Sequence, residues 1–244
     1  MNIENAIEVN NLVKKFGSFT ANDRLSFSVK TGEIFGFLGA NGAGKTTAMR
    51  ILSGLSSPTS GDVSVAGYNV KTQAEKVKQS IGYMSQKFSL YADLTVKENI
   101  RLYGGIYGMR RQQIRGKMDF LLKKLKMEGI KNSLISSLPL GWKQKLAFSI
   151  AILHDPMIVF LDEPTGGVDP ITRRQFWEMI YEASANGVTV FVTTHYMDEA
   201  EYCDRVCIME AGRIEALGSP QALKQDFGAK NMDEVFLSIA RKKS

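Results

Sequence analysis

A glycine-rich segment constrains the fold of this chain more than any other feature of its 244 residues. The apolar run IFGFL (34–38) leads directly into GANGAGKTT (39–47), which matches the pattern G-x-x-x-x-G-K-[ST]. Glycines let the backbone approach a ligand closely, and the N–H groups at the start of a helix attract phosphate. The pattern therefore predicts a strand, a phosphate-binding loop and a helix in succession. A glycine-rich turn with a solvated lysine is a weaker interpretation.

The residue types of this loop predict how it would hold a nucleoside triphosphate and Mg²⁺. Lys45 would place a positive charge at the β- and γ-phosphates, and the hydroxyl of Thr46 would complete the Mg²⁺ shell. The order of the glycines differs from that of a dinucleotide fingerprint, which disfavours NAD. The other candidate cofactor-binding residues of the loop are Gly39, Ala40, Asn41, Gly42, Ala43, Gly44 and Thr47.

The hydrophobic pattern changes along the chain, and this change indicates two kinds of sheet. IEVNNLV, LSFSV and VSVAG alternate apolar and polar residues, as half-buried antiparallel strands do. MIVFL, VTVFV and VCIM are continuous apolar runs, which suit parallel strands covered on both faces. Helical patterns lie at 44–54, 172–184 and 197–203, and the stretch 96–128 is helical without a strand candidate.

These patterns together predict an α/β fold. Its P-loop (RecA-like) core would contain a mostly parallel sheet, joined by an N-terminal antiparallel β subdomain and a helical insertion subdomain. We expect a single domain over residues 1–244. The core would cover about 1–86 and 150–218, the helical subdomain about 87–149, and a short C-terminal tail 219–244.

Composition narrows the possible functions only slightly. The net charge of +6 fits a nucleic-acid or anionic-membrane neighbour, but no polybasic run marks such a surface. Cys203 and Cys207 have no further ligands nearby in sequence, so we interpret them as reduced core thiols in a cytoplasm. We expect no signal peptide from MNIENAIEVN, and the longest apolar runs are far shorter than a membrane span. Any membrane role would therefore come through a partner.

Two adjacent carboxylates follow the predicted strand MIVFL. Adjacent side chains at a strand end point in different directions. Asp162 could therefore face Mg²⁺ through water, while Glu163 faces an attacking water as general base. Carboxylates at a strand end are also common as turn formers or helix caps, so the phosphate loop is what makes the catalytic interpretation strong.

These motifs, in this order, resemble those of ATP-binding cassette (ABC) transporter ATPases over nearly the whole chain. The resemblance implies that Gln86 in IGYMSQKF is the glutamine-loop residue, a cofactor-binding residue that touches Mg²⁺ and joins the core to the helical insertion. Asp169 in GGVDP matches the D-loop, and His195 in FVTTHYMDEAE matches the switch histidine, a catalytic residue at the γ-phosphate. Phe16 in KKFG stands where the family keeps an aromatic ring on adenine, with Phe19 as the alternative. Each residue alone could be solvated or structural.

The segment LPLGW departs from the family's LSGGQ signature. Gly141 is retained, while Pro139 replaces the serine and Leu140 the first glycine. In the family this loop caps the nucleotide of the other subunit in a head-to-tail dimer. Proline is compatible with the first turn of a helix, so the dipole and the Gly141 N–H would be kept. Losing one hydrogen bond to phosphate would weaken closure about ten- to a hundredfold, unless Ser136 or Ser137 supplies a hydroxyl.

The resemblance implies an ATP-hydrolysing subunit that works as a dimer with a second ATPase subunit, identical or different. It would bind MgATP and drive a separate transmembrane permease from the cytoplasmic face of the cell membrane. DEPTGGVDP and LPLGW are similar to cassettes of ABC-2-type exporters. A possible docking patch consists of Phe88, Leu90, Tyr91 and Leu94, which could equally be core residues.

Two other functions are weaker candidates. A soluble ABC-type ATPase acting on nucleic acid or the ribosome usually carries two cassettes or a long coiled coil, so we expect no nucleic-acid partner. A small-molecule P-loop kinase would need a lid and a substrate pocket, and would not explain GGVD and TTH.

Overall fold

In the computed structural model, which describes residues 4–86 and 90–241, ten strands form two sheets. The strands are β1 (Asn5–Phe16), β2 (Phe19–Lys30), β3 (Ile34–Gly39), β4 (Ser60–Val65), β5 (Tyr68–Asn69), β6 (Ile81–Met84), β7 (Ile158–Asp162), β8 (Thr189–Thr194), β9 (Arg205–Glu210) and β10 (Arg213–Gly218).

The same described ranges contain eight α-helices and three short 3₁₀ helices. The α-helices are α1 (Lys45–Leu52), α2 (Ala74–Ser80), α3 (Val96–Ile106), α4 (Arg111–Leu125), α5 (Leu140–Ala151), α6 (Pro170–Ala185), α7 (Pro220–Asp226) and α8 (Met232–Arg241). The 3₁₀ helices are Glu128–Ile130, Ile135–Ser137 and Met197–Tyr202. The predicted helical segment 197–203 is thus a 3₁₀ helix rather than an α-helix.

The first sheet is antiparallel, with strand order β2-β1-β4-β5. Its alternating residues form one buried face, where Ile7 pairs with Val65 and Val9 with Val63. One residue in two faces the core because side chains alternate across a strand. The predicted antiparallel β subdomain is therefore confirmed.

The second sheet has strand order β10-β9-β3-β8-β7-β6, and its strands are parallel except for β10. Every residue of β3, β7 and β8 is buried. Helices cover one face, and helix α1 together with the antiparallel sheet covers the other, which explains the continuous apolar runs. The predicted α/β fold with a mostly parallel core is confirmed.

The two sheets meet at a cluster of phenylalanines. The ring centroid of Phe191 lies 5.6 Å from that of Phe35, 5.2 Å from that of Phe37 and 5.4 Å from that of Phe160. The ring centroid of Phe27, in the antiparallel sheet, lies 6.4 Å from that of Phe191. These contacts fix the antiparallel sheet over the centre of the parallel one.

Strands β3, β8 and β7 are neighbours, so their carboxyl ends reach the same edge of the sheet. Leu38 pairs with Thr194, and Asp162 pairs with Thr193. The phosphate loop, the paired carboxylates and His195 follow these three strands directly. The topology therefore brings three distant segments of the sequence together. Ligands of open α/β sheets bind at this kind of edge.

The segment between β6 and β7 consists of α3, α4, two 3₁₀ helices and α5. The pattern over 96–128 divides into α3 and α4 at Gly108, whose φ is +72°. Helix α5 crosses the predicted boundary at 149, and the domain limits stay a prediction. Among the described residues, we find no helix with both the length and the apolar character needed to cross a membrane.

Replacing Phe191 with alanine should lower the free energy of unfolding by about 3–5 kcal/mol, because it opens a cavity among four aromatic rings. Urea denaturation monitored by circular dichroism measures this loss. Phe120→Ala is the matched control, since that ring is 70% exposed. An equal loss in both variants would contradict this view of the core.

Candidate functional site

A cleft of about 530 Å³ opens at the carboxyl edge of the parallel sheet, which is within the usual size range of small-molecule sites. It combines the phosphate loop with residues from three other segments. It is lined by Phe19, Ala21, Asn41, Gly42, Gly44, Lys45, Thr46, Thr47, Gln86 and Glu163.

Lys45 organises the phosphate loop from inside. Its side chain is buried, and its Nζ donates hydrogen bonds to the carbonyls of Gly39 at 2.7 Å and Ala40 at 3.1 Å. Burial lowers the pKa of Lys45, while the charges of Glu163 and Asp162 act in the opposite direction. An ammonium has three donors, so one N–H remains for a ligand in the cleft.

The antiparallel sheet holds the other side of the loop. The side-chain amide of Asn22, which is fully buried, donates to the carbonyl of Gly44 at 3.1 Å. Gly44 has a φ of +100°, and a Cβ there would lie 2.4 Å from the carbonyl oxygen of Ala21. Only glycine fits this contact. Asn22 belongs to no motif that we could recognise in the sequence.

The side chains of Asp162 and Glu163 have different hydrogen-bond partners at the end of β7. Asp162 is buried and its Oδ1 accepts a hydrogen bond from the Thr193 hydroxyl at 2.6 Å. Burial raises the pKa of Asp162, and the Thr193 hydrogen bond and the Lys45 charge oppose that rise. Thr193 was missed by the sequence reasoning, although it stands two residues before the candidate His195.

Glu163 turns away from the strand because its φ is +47°, in the left-handed region. Its N–H donates to the carbonyl of Thr193 at 3.0 Å, which holds this turn in place. A non-glycine residue in this conformation stores about 1–3 kcal/mol of strain. Such strain is typical of functional positions.

Three candidate residues from different segments meet at one carboxylate oxygen. Gln86 Nε2 donates a hydrogen bond to Glu163 Oε2 at 2.8 Å. His195 Nδ1 lies 3.2 Å from the same oxygen, at ion-pair distance but without the alignment of a hydrogen bond. The predicted glutamine, general base and switch histidine are therefore adjacent in space.

The two candidate adenine-stacking residues lie opposite each other, because Phe16 pairs with Phe19 across the turn between β1 and β2. Phe19 lines the cleft and is 63% exposed. Phe16 is also exposed but does not belong to the cleft lining; the ammonium of Lys14 lies over its ring. The cleft therefore favours Phe19 over Phe16, and the adenine contact stays a prediction.

Asp169 does not line this cleft. It is the N-cap of α6, where Oδ1 accepts from the Thr172 N–H at 2.9 Å and Oδ2 from the Thr172 hydroxyl at 2.6 Å. These hydrogen bonds lower the pKa of Asp169. Gly141 packs on the same threonine, because a Cβ there would lie 2.5 Å from Thr172 Cγ2. Asp169 and Gly141 thus form a second surface.

The second surface is apolar where the family signature is polar. Leu140 is 37% exposed, Trp142 38% and Ile171 72%. Pro139 occupies the N-cap of α5, one residue earlier than the first-turn position we expected, and no side chain caps the helix. The N–H groups of Leu140 and Gly141 have no acceptor within the helix, whereas those of Trp142 and Lys143 both donate to the Pro139 carbonyl at 3.1 Å.

Ser136 and Ser137, the two serines that could replace the signature hydroxyl, differ in whether the hydroxyl is already hydrogen-bonded. Ser137 Oγ donates to the carbonyl of Leu134 at 2.7 Å, so its hydroxyl is engaged within its own loop. Ser136 is exposed, and its carbonyl accepts from Lys143 Nζ at 3.1 Å. Ser136 is therefore the better placed of the two.

The proposed docking patch divides between core and surface. Leu90 is buried, which agrees with the alternative that it is a core residue, whereas Tyr91 is 54% exposed. Leu94 is half-buried. Phe88 lies outside the described residues.

A cleft of about 660 Å³ lies elsewhere, between α4 and α6. Its lining is mainly apolar and includes Phe120. On its rim Lys117 pairs with Asp155, and Lys124 pairs with Glu182 at 2.6 Å. Because these lysines are neutralised by carboxylates, this cleft is less suited to phosphate than the cleft at the glycine loop.

Comparison with known proteins identifies the family. The sequence profile described as "ABC transporter" matches residues 22–166. The chain is 49% identical over 221 residues to the probable multidrug ABC transporter ATP-binding protein YbhF of Escherichia coli (strain K12), covering 91% of this chain and 38% of that protein. It is 40% identical over 218 residues to Nod factor export ATP-binding protein I of Burkholderia orbicola (strain AU 1054), covering 89% and 72%.

Solved structures agree with these relatives. An ATP-binding subunit of an ABC transporter superposes with a TM-score of 0.87 at 29% identity, covering 96% of this chain and 99% of that one. A dimeric cassette bound to ADP and Pi gives a TM-score of 0.79 at 26% identity, covering 87% and 98%. The chain belongs to the ABC transporter family as an ATP-binding cassette. It spans less than half the length of the Escherichia coli relative.

Without nucleotide, Asp162→Asn should be more stable than the wild type near neutral pH. The folded protein holds the Asp162 proton more tightly than the unfolded chain, whose pKa is near 3.8, so ionisation costs stability as the pH rises above that value. Asparagine removes this cost. The gain should be full near pH 7 and shrink toward about pH 4, measured by urea denaturation across this range.

Asp62→Asn, at an exposed position of β4, is the control and should show little gain at any pH. A gain at Asp162 that is independent of pH, or a loss at pH 7, would contradict the cost assigned to the buried carboxylate.

Proposed function

We propose that this chain is the ATP-hydrolysing subunit of a membrane exporter, as the activity common to ABC cassettes suggests. The observation that carries the proposal is the meeting of Gln86, Glu163 and His195 at one oxygen beside the phosphate loop. A glycine loop alone would support nucleotide binding. A carboxylate that accepts a hydrogen bond from Gln86 and lies 3.2 Å from His195, next to that loop, adds a candidate for hydrolysis.

The phosphate loop would bind the β- and γ-phosphates of ATP. Lys45 is held by two backbone carbonyls, which leaves its third N–H directed to a ligand without further ordering. The first turn of α1 follows immediately and adds the positive end of a helix dipole. Phe19 is exposed at the rim of the cleft, where a base could stack on it.

Mg²⁺ fits oxygen donors of the cleft lining, Thr46 and Gln86, together with Asp162 at the end of β7. The Thr46 hydroxyl, the Gln86 amide oxygen and the Asp162 carboxylate are the oxygen ligands that this ion prefers. Within residues 4–86 and 90–241, no cluster of three or more His, Cys, Asp or Glu side chains could hold a metal. Mg²⁺ usually keeps waters and phosphate oxygens among its ligands, and in ATP hydrolysis it would neutralise charge on the phosphates.

Glu163 would act as the general base on the attacking water. The backbone of Glu163 is in the left-handed region, and its side chain belongs to the lining of the cleft. Gln86 and His195 would hold the carboxylate until the γ-phosphate arrives, and His195 would then contact that phosphate. A general base must lie within hydrogen-bond reach of the water that it deprotonates, and these contacts would fix the carboxylate in place for this.

The second surface would complete the site of another copy or of a related subunit. Its core is the start of α5, where the N–H groups of Leu140 and Gly141 and the helix dipole would suit the γ-phosphate of the opposing nucleotide. Gly141 allows this helix to lie directly against α6 and Asp169. A head-to-tail dimer is supported by the similarity to a dimeric cassette with ADP and Pi. Leu140 and Trp142 would bury apolar surface across that dimer.

A separate permease would receive the motion of the dimer and place this chain at the inner face of the cell membrane. The names of the similar proteins, multidrug transport and Nod factor export, support an exporter rather than an importer. They also make a role on nucleic acid or the ribosome the weaker alternative. The exported molecule would be selected by the permease.

Glu163→Gln should bind ATP but lose nearly all hydrolysis, because an amide cannot accept the proton of water. With Mg²⁺ and ATP, this variant should therefore accumulate as a dimer, detectable by sedimentation velocity. Glu178→Gln on the exposed face of α6 is the matched control and should hydrolyse ATP like the wild type. A Glu163→Gln protein that hydrolyses normally would exclude the proposed base. One that stays monomeric with saturating ATP would argue against the sandwich.

Pro139→Ser should raise the ATPase rate or tighten the ATP-dependent dimer. The new hydroxyl can donate a hydrogen bond to phosphate across the dimer. A hydrogen bond to a charged group can raise the dimer affinity by up to about ten- to a hundredfold. Pro139→Ala is the control for losing the ring without adding the hydroxyl. If both the rate and the dimer affinity fall with serine, the proline is an adaptation and not a deficit.

A further inference from the structure

A fully buried carboxylate lies just beyond the candidate switch histidine. Glu199 is on the 3₁₀ helix Met197–Tyr202 and is not exposed to solvent. Its Oε1 accepts a hydrogen bond from the Thr165 hydroxyl and lies 3.7 Å from Nε of Arg173. A buried charge needs partners of this kind, since water cannot reach it. Thr165 follows β7, so the 3₁₀ helix is tied to the segment that carries Glu163.

Arg173 extends from α6 to three residues of the switch segment, as we call residues 195–202. Besides Glu199, its Nη1 contacts Asp198 Oδ2 at 3.2 Å. Its guanidinium lies 4.7 Å from the ring centroid of Tyr196. The Tyr196 ring is in turn 4.1 Å, between centroids, from the imidazole of His195. The planar guanidinium can pair with carboxylates and stack on an aromatic ring at the same time, which an ammonium cannot do.

We propose that Arg173 is a positioning residue for ATP hydrolysis. By fixing Tyr196 and the 3₁₀ helix, it presses the imidazole of His195 toward Glu163. The proposal rests on the function proposed above, because it assumes that His195 acts in hydrolysis. It also connects the two surfaces of the chain, since Arg173 stands one turn after Asp169 on α6.

A simpler explanation is that Arg173 only neutralises Glu199 and stabilises the fold. The two explanations differ in what happens to His195. If Arg173 acts through the Tyr196 ring, a substitution should change the environment of His195 and should have no further effect once His195 is absent. If it only stabilises the fold, its effect on activity should not depend on His195.

The chain provides a matched control at the next position. Arg174 is also on α6, but its side chain is 84% exposed, and within residues 4–86 and 90–241 its one ion pair is with Glu178 of the same helix, at 3.6 Å. Arg173→Lys and Arg174→Lys are therefore the same chemical change at a site that contacts the switch segment and at one that does not. Lysine retains the charge opposite Glu199, which protects the fold.

The first measurement is nuclear magnetic resonance of the imidazoles in nucleotide-free protein. The chain has two histidines, His154 and His195, and a His195→Ala variant assigns their signals. Arg173→Lys should shift the His195 signal and leave that of His154 in place, because His154 stacks on Tyr107 in another part of the chain. Arg174→Lys should shift neither. An unmoved His195 signal in Arg173→Lys would overturn the proposal.

The second measurement is a double-mutant cycle on the ATPase rate. Arg173→Lys should lower kcat about tenfold with KM for ATP changed less than about twofold, the pattern of a lost transition-state interaction. In the His195→Ala background the same change should lower the residual kcat by less than about twofold, since both residues act as one unit. An equal factor in both backgrounds would overturn the proposal and leave the proposed function intact.

Tyr196→Leu keeps the test decisive if Arg173→Lys loses thermal stability. It removes the ring between Arg173 and His195 without touching a buried charge. It should lower kcat only where His195 is present, and an equal loss without His195 would count against the proposal. Failure of the proposed function is separate, because it would show as normal hydrolysis by Glu163→Gln whatever the result at Arg173.

Discussion

The site depends on burying one lysine beside one carboxylate. Lys45 and Asp162 are both almost fully buried, and removing such charges from water is costly unless every partner is in place. The partners are backbone carbonyls at the end of β3 for the lysine and the Thr193 hydroxyl of β8 for the carboxylate. Asp162 itself ends β7. The strand order β3-β8-β7 places Thr193 of β8 beside Asp162 of β7, whereas the carbonyls that hold Lys45 belong to its own loop.

Helix α6 connects the two surfaces of the chain. Its N-cap is Asp169, its first turn packs through Thr172 on the start of α5, and its next residue, Arg173, reaches the switch segment. A subunit that docks on Asp169 and Gly141 would thus press on the same helix that contacts Tyr196. Helix α6 thus contacts both the second surface and the residues that follow His195, so we expect a change at one of them to be felt at the other.

Much of the fold and of the site follows from local sequence, and the exceptions have physical reasons. Continuous apolar strands and spaced motifs are visible because burial and phosphate binding restrict residue types at fixed positions. Strand β6 cannot be predicted from the sequence, because it has only four residues and one of them is Gly82. The glycine is required there because a Cβ would lie 2.1 Å from the Ala151 carbonyl oxygen at the end of α5. The choice of Phe19 over Phe16 depends on the hairpin turn. Arg173 and Glu199 meet only in three dimensions, so no spacing in the sequence reveals them.

The left-handed backbone of Glu163 limits which residues can replace it during evolution. Side chains branched at Cβ, such as valine, isoleucine or threonine, are least compatible with a positive φ, whereas asparagine and glycine are the most compatible. In a related subunit that has lost hydrolysis, we therefore expect asparagine or glycine at the position of Glu163 more often than a β-branched residue. The residue type that replaces the glutamate in such subunits would therefore reflect the positive φ of this position.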